Sequence, residues 1–114
     1  MMTETLFAVN RTVPRFSFIA EAELTAVRNG AHLAAYVSEL SSNGCYIDTL
    51  EGFPVGTQVL LNIRYGSSKC DLTGRAIYKH DGWGMGVAFD EMSEQPRSII
   101  DAWLVELRRV RRSL

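Results

Sequence analysis

What most constrains this chain is a change of period. Through residue 89 the apolar residues recur at every second position in short runs, and beyond residue 97 they recur at every third or fourth. Phe18, Ala20, Ala22 and Leu24 fall on one side of an extended chain, with Glu21 and Glu23 on the other. Val59, Leu61, Ile63 and Tyr65 alternate against Asn62 and Arg64, and Met85, Val87 and Phe89 form a third series. Segments 32–40, 45–49 and 71–80 are similarly rich in β-formers. Turn residues separate them at Asn29-Gly30, Asn43-Gly44, Gly52 to Gly56, Gly66-Ser67-Ser68 and Asp81-Gly82. Five turns between about six strands specify a mainly all-β fold, an antiparallel sandwich or barrel. No strand–helix–strand alternation occurs, which excludes a parallel nucleotide-binding sheet.

The closing segment is helical. Ile99, Ile100, Trp103, Leu104, Leu107, Val110 and Leu114 make one apolar stripe. Ser93 caps a helix over 93–112, and Glu94 faces the positive end of its dipole. Five arginines in residues 97–114 against Asp101 and Glu106 give that segment a net +3, so with −1 overall residues 1–96 carry −4. Arg108, Arg109, Arg111 and Arg112 stand where the dipole favours cations. The acidic remainder argues against nucleic acid as a partner. The stripe reads mainly as core against the barrel. Its alternative use is a homodimer through the helix, because Ile100, Trp103, Leu107, Val110 and Leu114 approach heptad spacing.

With 114 residues, 46% of them hydrophobic, the chain suits one packed domain over 1–114. No apolar run reaches the length of a membrane span, and no secretory signal is visible, so the expected location is cytoplasmic. Cys45 and Cys70 lack the paired ligand spacing of a zinc site and read as small buried residues. His32 and His80 have no oriented partner in the sequence. No nucleophile elbow, metalloprotease or phosphate-loop motif occurs, so the chain is expected to be no enzyme and to hold no metal or cofactor. Gly82-Trp83-Gly84-Met85-Gly86 leads into a strand, not a helix, and reads as a tight turn with close backbone packing.

Two stretches remain. Asn10-Arg11-Thr12-Val13-Pro14-Arg15 carries RxxxR just ahead of the first strand, and Pro14 keeps it out of a helix. The residues alone leave two readings: a solvated pair of arginines, or two guanidiniums closing on one ligand across a bend. The second stretch, Val37 to Ile47, contains Asn43-Gly44, which predicts a type I′ hairpin turn with positive φ at both residues. Glu39 and Ser41, two apart, are expected on one face beside a glycine that permits close approach. That face is either a plain polar hairpin surface or an acceptor and hydroxyl for a ligand.

Together these stretches resemble the PilZ domain, the bacterial receptor family for cyclic di-GMP. The family carries RxxxR before its first strand and (D/N)xSxxG at the end of its second, matched here by Arg11 to Arg15 and by Glu39 to Gly44. Pro54-Val-Gly56-Thr, Gly74-Arg-Ala-Ile and Gly84 to Phe89 look like its later landmarks. The resemblance implies a six-stranded antiparallel β-barrel over 16–90 with a C-terminal helix, and residues 1–15 as a ligand-clasping loop. It implies cyclic di-GMP as ligand, bound through Arg11, Arg15, Glu39, Ser41 and Gly44, with loop ordering passed to a protein effector. Its alternative is an adaptor that acts through protein contacts without the nucleotide. The family has Asp or Asn where Glu39 stands, and many members have an arginine where Asn10 stands. A lost phosphate contact costs about 1.5–3 kcal/mol, so the expected binding is weaker than typical.

Overall fold

The computed structural model describes residues 13–113. Asn10, Arg11 and most of the 1–15 segment, including the first arginine of RxxxR, lie outside the described residues. The alternating runs form β1 (Phe16–Ala26), β2 (His32–Leu40), β3 (Gly44–Asp48), β4 (Gln58–Tyr65), β5 (Ser68–His80) and β6 (Gly84–Phe89). The helical segment forms α1 (Glu94–Ser113).

All neighbouring strands are antiparallel and the order β1-β2-β3-β6-β5-β4 closes on itself. β1 pairs with both β2 and β4, so among the described residues closure leaves no strand edge open to other chains. This decides between the sandwich and the barrel that the alternation left open. In β1 every second residue from Phe16 to Ala26 points inward. Leu24, Val37, Ile47, Val59, Ile63 and Met85 are fully sequestered in the interior. Each such aliphatic side chain contributes about 1.5–3 kcal/mol relative to exposure.

Three bulges break the simple period. Between β1 and β2 the partners step from Ser17–Glu39 to Ala20–Val37. Between β2 and β3 they step from Val37–Ile47 to Glu39–Tyr46, leaving Ser38 as the extra residue. Between β5 and β6 they step from Ala76–Val87 to Tyr78–Gly86, leaving Ile77 extra. Each adds local twist and re-aims the side chains that follow it.

α1 covers the barrel end where β1 and β5 begin. Ile100, Trp103 and Leu104 are buried against the barrel. The Trp103 ring lies 5.5 Å from Phe18 and 5.6 Å from Tyr65, centroid to centroid. Its indole N–H donates to Ser68 Oγ at 3.3 Å. The stripe therefore serves the chain's own core at Ile100 and Trp103, while Val105 and Val110 remain exposed. Among the described residues no helix is long and apolar enough to cross a membrane.

Candidate functional site

The connection from β2 to β3 is a tight turn over 41–44, built differently from the expected type I′. Neither Asn43 nor Gly44 has a positive φ. The Ser41 N–H donates to the Gly44 carbonyl at 2.9 Å, and Ser41 Oγ accepts the Asn43 N–H at 3.2 Å. The Ser41 hydroxyl also reaches the Gly44 carbonyl at 3.3 Å. Gly44 is required by packing rather than by φ, since a Cβ there would sit 2.5 Å from the Val87 carbonyl on β6. The close approach that this glycine permits is thus from the neighbouring strand. α1 reaches the same turn, where Arg97 Nη2 donates to the Ser42 carbonyl at 2.9 Å.

The expected shared face of Glu39 and Ser41 does not occur. Glu39 is exposed near the end of β2, whereas Ser41 is only 3% exposed and committed to its own turn. The reason is that the strand ends at Leu40, so period-two projection stops before Ser41. What the fold does bring together is Glu39 and Arg15. Their side chains lie 3.8 Å apart, Nη1 to Oε1, joining residues from the two separate motifs. Both are about half exposed, so this pair alone contributes well under 1 kcal/mol.

Beside them lies an aromatic floor that no sequence motif singles out. Tyr46 pairs directly with Glu39 across the β2–β3 ladder. Tyr46, Tyr78 and His80 cluster with ring centroids 5.1–6.1 Å apart. The Tyr46 hydroxyl and His80 Nδ1 share a 3.0 Å hydrogen bond, so His80 has an oriented partner after all. His32 lies near Glu23 at 3.8 Å and Thr25 at 3.4 Å on another wall. A side chain on Gly84 would meet the Ile47 carbonyl of β3 first and then the Tyr46 ring, and one on Gly86 would meet the Tyr78 ring. This gives the close backbone packing expected of the glycine-rich run its physical cause. Strict alternation from Leu72 through Gly74 and Ala76 would turn Tyr78 into the core. The extra residue Ile77 instead lays it over Gly86.

The electrostatics tie the group together. Partial burial pushes the Tyr78 phenol up to about 12, opposed by the positive charge of Arg15 and reinforced by Tyr46, Glu39 and Cys45. Tyr46 is also raised, first by burial and then by Asp48 and Glu39. Both phenols are therefore neutral donors at neutral pH. Burial pushes Cys45 to about 12 and Cys70 to about 11, so neither thiol is a thiolate at neutral pH. Among the described residues no group of three or more His, Cys, Asp or Glu could hold a metal ion. A guanidinium, a carboxylate and neutral phenols beside flat rings can recognise an anion and the hydrogen-bonding edge of a planar ring.

A family model described as the PilZ domain matches residues 10–106. The chain belongs to the PilZ domain family. No curated protein matches its sequence. Among solved structures, this PilZ chain is similar to the PilZ domain of YcgR from Escherichia coli, solved with c-di-GMP. Identity is 14% and TM-score 0.75, covering 90% of this chain and 95% of that one. It is also similar to the PilZ domain of CeSA from a cellulose synthesizing bacterium, at 14% identity and TM-score 0.66 over 83% and 98%. The inhibitor of motility MotI/DgrA of Bacillus subtilis matches at 12% identity and TM-score 0.70. That match covers 89% of this chain but 52% of the other, so this PilZ domain spans about half of the inhibitor's length. At these identities the likeness is one of fold.

Proposed function

We propose that this PilZ domain is a non-enzymatic receptor for cyclic di-GMP, and that Arg15 and Glu39 form the described part of its ligand site. The observation that carries the reading is the meeting of Arg15 with Glu39 beside the Tyr46–Tyr78–His80 floor, joining the RxxxR stretch to the (D/N)xSxxG-like stretch. The ligand of the YcgR domain supports the choice of nucleotide. Arg15 supplies a bidentate donor fork for a phosphate or a guanine acceptor edge, and Glu39 accepts from guanine N–H groups. Arg11 is assigned the second cationic role from the motif alone. Ser41 and Gly44 act by fixing the turn, with Ser41 reaching the ligand only if the turn opens. Binding orders the segment ahead of β1, and a protein effector reads that change.

A second reading has its own observation. The buried, internally bonded Ser41 and the Glu39 carboxylate already beside Arg15 favour an adaptor that works without nucleotide. Calorimetry with cyclic di-GMP, cyclic di-AMP and GTP separates the two. The receptor reading expects heat with the first alone and a loss of about tenfold or more in affinity, or about 1.4 kcal/mol, in Arg15→Ala. No heat with any of the three leaves the adaptor.

A further inference from the structure

The wall next to the aromatic floor exposes large apolar side chains that the nucleotide reading does not use. Trp83, in the β5–β6 turn, is 77% exposed, and Leu50, after β3, is 80% exposed. Tyr36 on β2 is 55% exposed and pairs across from Asp48. The Thr49 N–H donates to the Trp83 carbonyl at 3.1 Å, which holds the two loops together. Leu50 stands between two hollows. One, of about 390 Å³, lies between Tyr46 and Trp83. The other, of about 430 Å³, is lined by Tyr36, Ala34 and Ala35. Such grouped exposure of aromatic and aliphatic side chains marks interaction surfaces on soluble domains.

Charge narrows the occupant. Glu21, Glu23 and Asp48 line the second hollow and Glu51 follows Leu50, against Arg64, which is already paired with Glu21 at 2.7 Å and near Glu23 at 3.9 Å. Lys79 lies 4.0 Å from Asp81 and so offsets that carboxylate. The surplus is negative. It repels anionic lipid surfaces and acidic proteins and attracts cations.

We propose that Trp83, Leu50 and Tyr36, with Asp48 and Glu51, dock a protein partner that presents apolar side chains flanked by lysines or arginines. This rests on the reading that the domain signals to a protein. Tyr46 belongs both to the aromatic floor beside Arg15 and Glu39 and to the Leu50–Trp83 hollow, so the partner sits next to the nucleotide.

The test uses the full chain and a synthetic amphipathic helical peptide with leucines on one face and lysines on the other. Titration is followed by Trp83 emission, with a Trp83→Phe difference spectrum to remove Trp103. The lysine–leucine peptide is expected to bind with a blue shift. A version with glutamates for lysines, and one with serines for leucines, are expected to bind at least about tenfold more weakly. Leu50→Ser and the pair Asp48→Asn with Glu51→Gln each weaken binding by about tenfold. The proposal is overturned if Leu50→Ser leaves binding intact or the glutamate peptide binds equally well. It is overturned too if Trp83 shifts instead on phosphatidylglycerol-containing vesicles, or if sedimentation shows a dimer that Leu50→Ser dissolves. Calorimetry with cyclic di-GMP on Leu50→Ser keeps the two readings apart. Unchanged nucleotide affinity with lost peptide binding supports this surface, whereas absent nucleotide binding in the parent chain defeats only the receptor reading.

Discussion

Gly44 and Gly86 look alike in the sequence but are held by different neighbours. A Cβ on Gly44 meets the carbonyl of Val87, which is ladder backbone and cannot move without opening the β3–β6 pairing. A Cβ on Gly86 meets the ring of Tyr78, a side chain able to swing outward. Gly44→Ala is therefore expected to lose about 1–3 kcal/mol in urea unfolding, and Gly86→Ala less. Combining Gly86→Ala with Tyr78→Ala should recover much of the Gly86→Ala loss, whereas Gly44→Ala with Tyr78→Ala should be additive. Additivity in both cycles would remove the argument that Tyr78 fills the space above Gly86. At this scale the sequence is legible where a residue's chemistry declares itself. Arg15 and Glu39 stand out through their motif spacing. Tyr46, Tyr78 and His80 do not, because an aromatic in a β-run looks the same facing in or out.

The strands and the helix are legible to within a residue or two at most ends, because period two and period 3.6 are written directly in the burial pattern. The bulges are not. Ile77 carries no turn chemistry and Ser38 stands alone inside a β-run, so only the pairing register reveals them as extra. The β2–β3 turn misleads for a related reason. Asn-Gly satisfies the φ of a type I′ turn, but here Gly44 is needed flat against Val87, so the chain tightens one residue earlier through Ser41. The helix offers the sharper test at this scale. Trp103 joins α1 to the barrel through Phe18, Tyr65 and Ser68. Trp103→Ala should lower stability by about 3–5 kcal/mol, since a large ring leaves a cavity. Trp103→Phe keeps ring packing and gives up the indole hydrogen bond, for a much smaller loss of about 1 kcal/mol plus its reduced volume. Equal losses in the two variants would mean that the ring contacts do not anchor the helix.

The whole molecule has a directional response to alkali. Cys45, Cys70 and Tyr78 hold their protons to about 12, 11 and 12 when folded, against ordinary values of 9.0 for the thiols and 10.0 for the phenol. Above about pH 9 the unfolded chain releases thiol protons that the folded chain retains, so proton release favours unfolding. The stability tied to these groups is fully present below that point and is lost as pH climbs toward the folded values of 11 to 12. Cys45 is fully enclosed, so its effect approaches about 1.4 kcal/mol per pH unit within that window, while the partly open Tyr78 responds less. Urea midpoints taken from about pH 8 to pH 10.5 should fall with rising pH, and Cys45→Ala should flatten the slope even where it lowers stability overall. The same burial makes both thiols inert in the closed barrel. Reaction with a thiol reagent at about pH 8 should then proceed only as the barrel opens, accelerating in step with destabilising variants such as Trp103→Ala. Rapid labelling of the undisturbed chain, at a rate those variants leave unchanged, would show that β3 and the start of β5 admit solvent without unfolding.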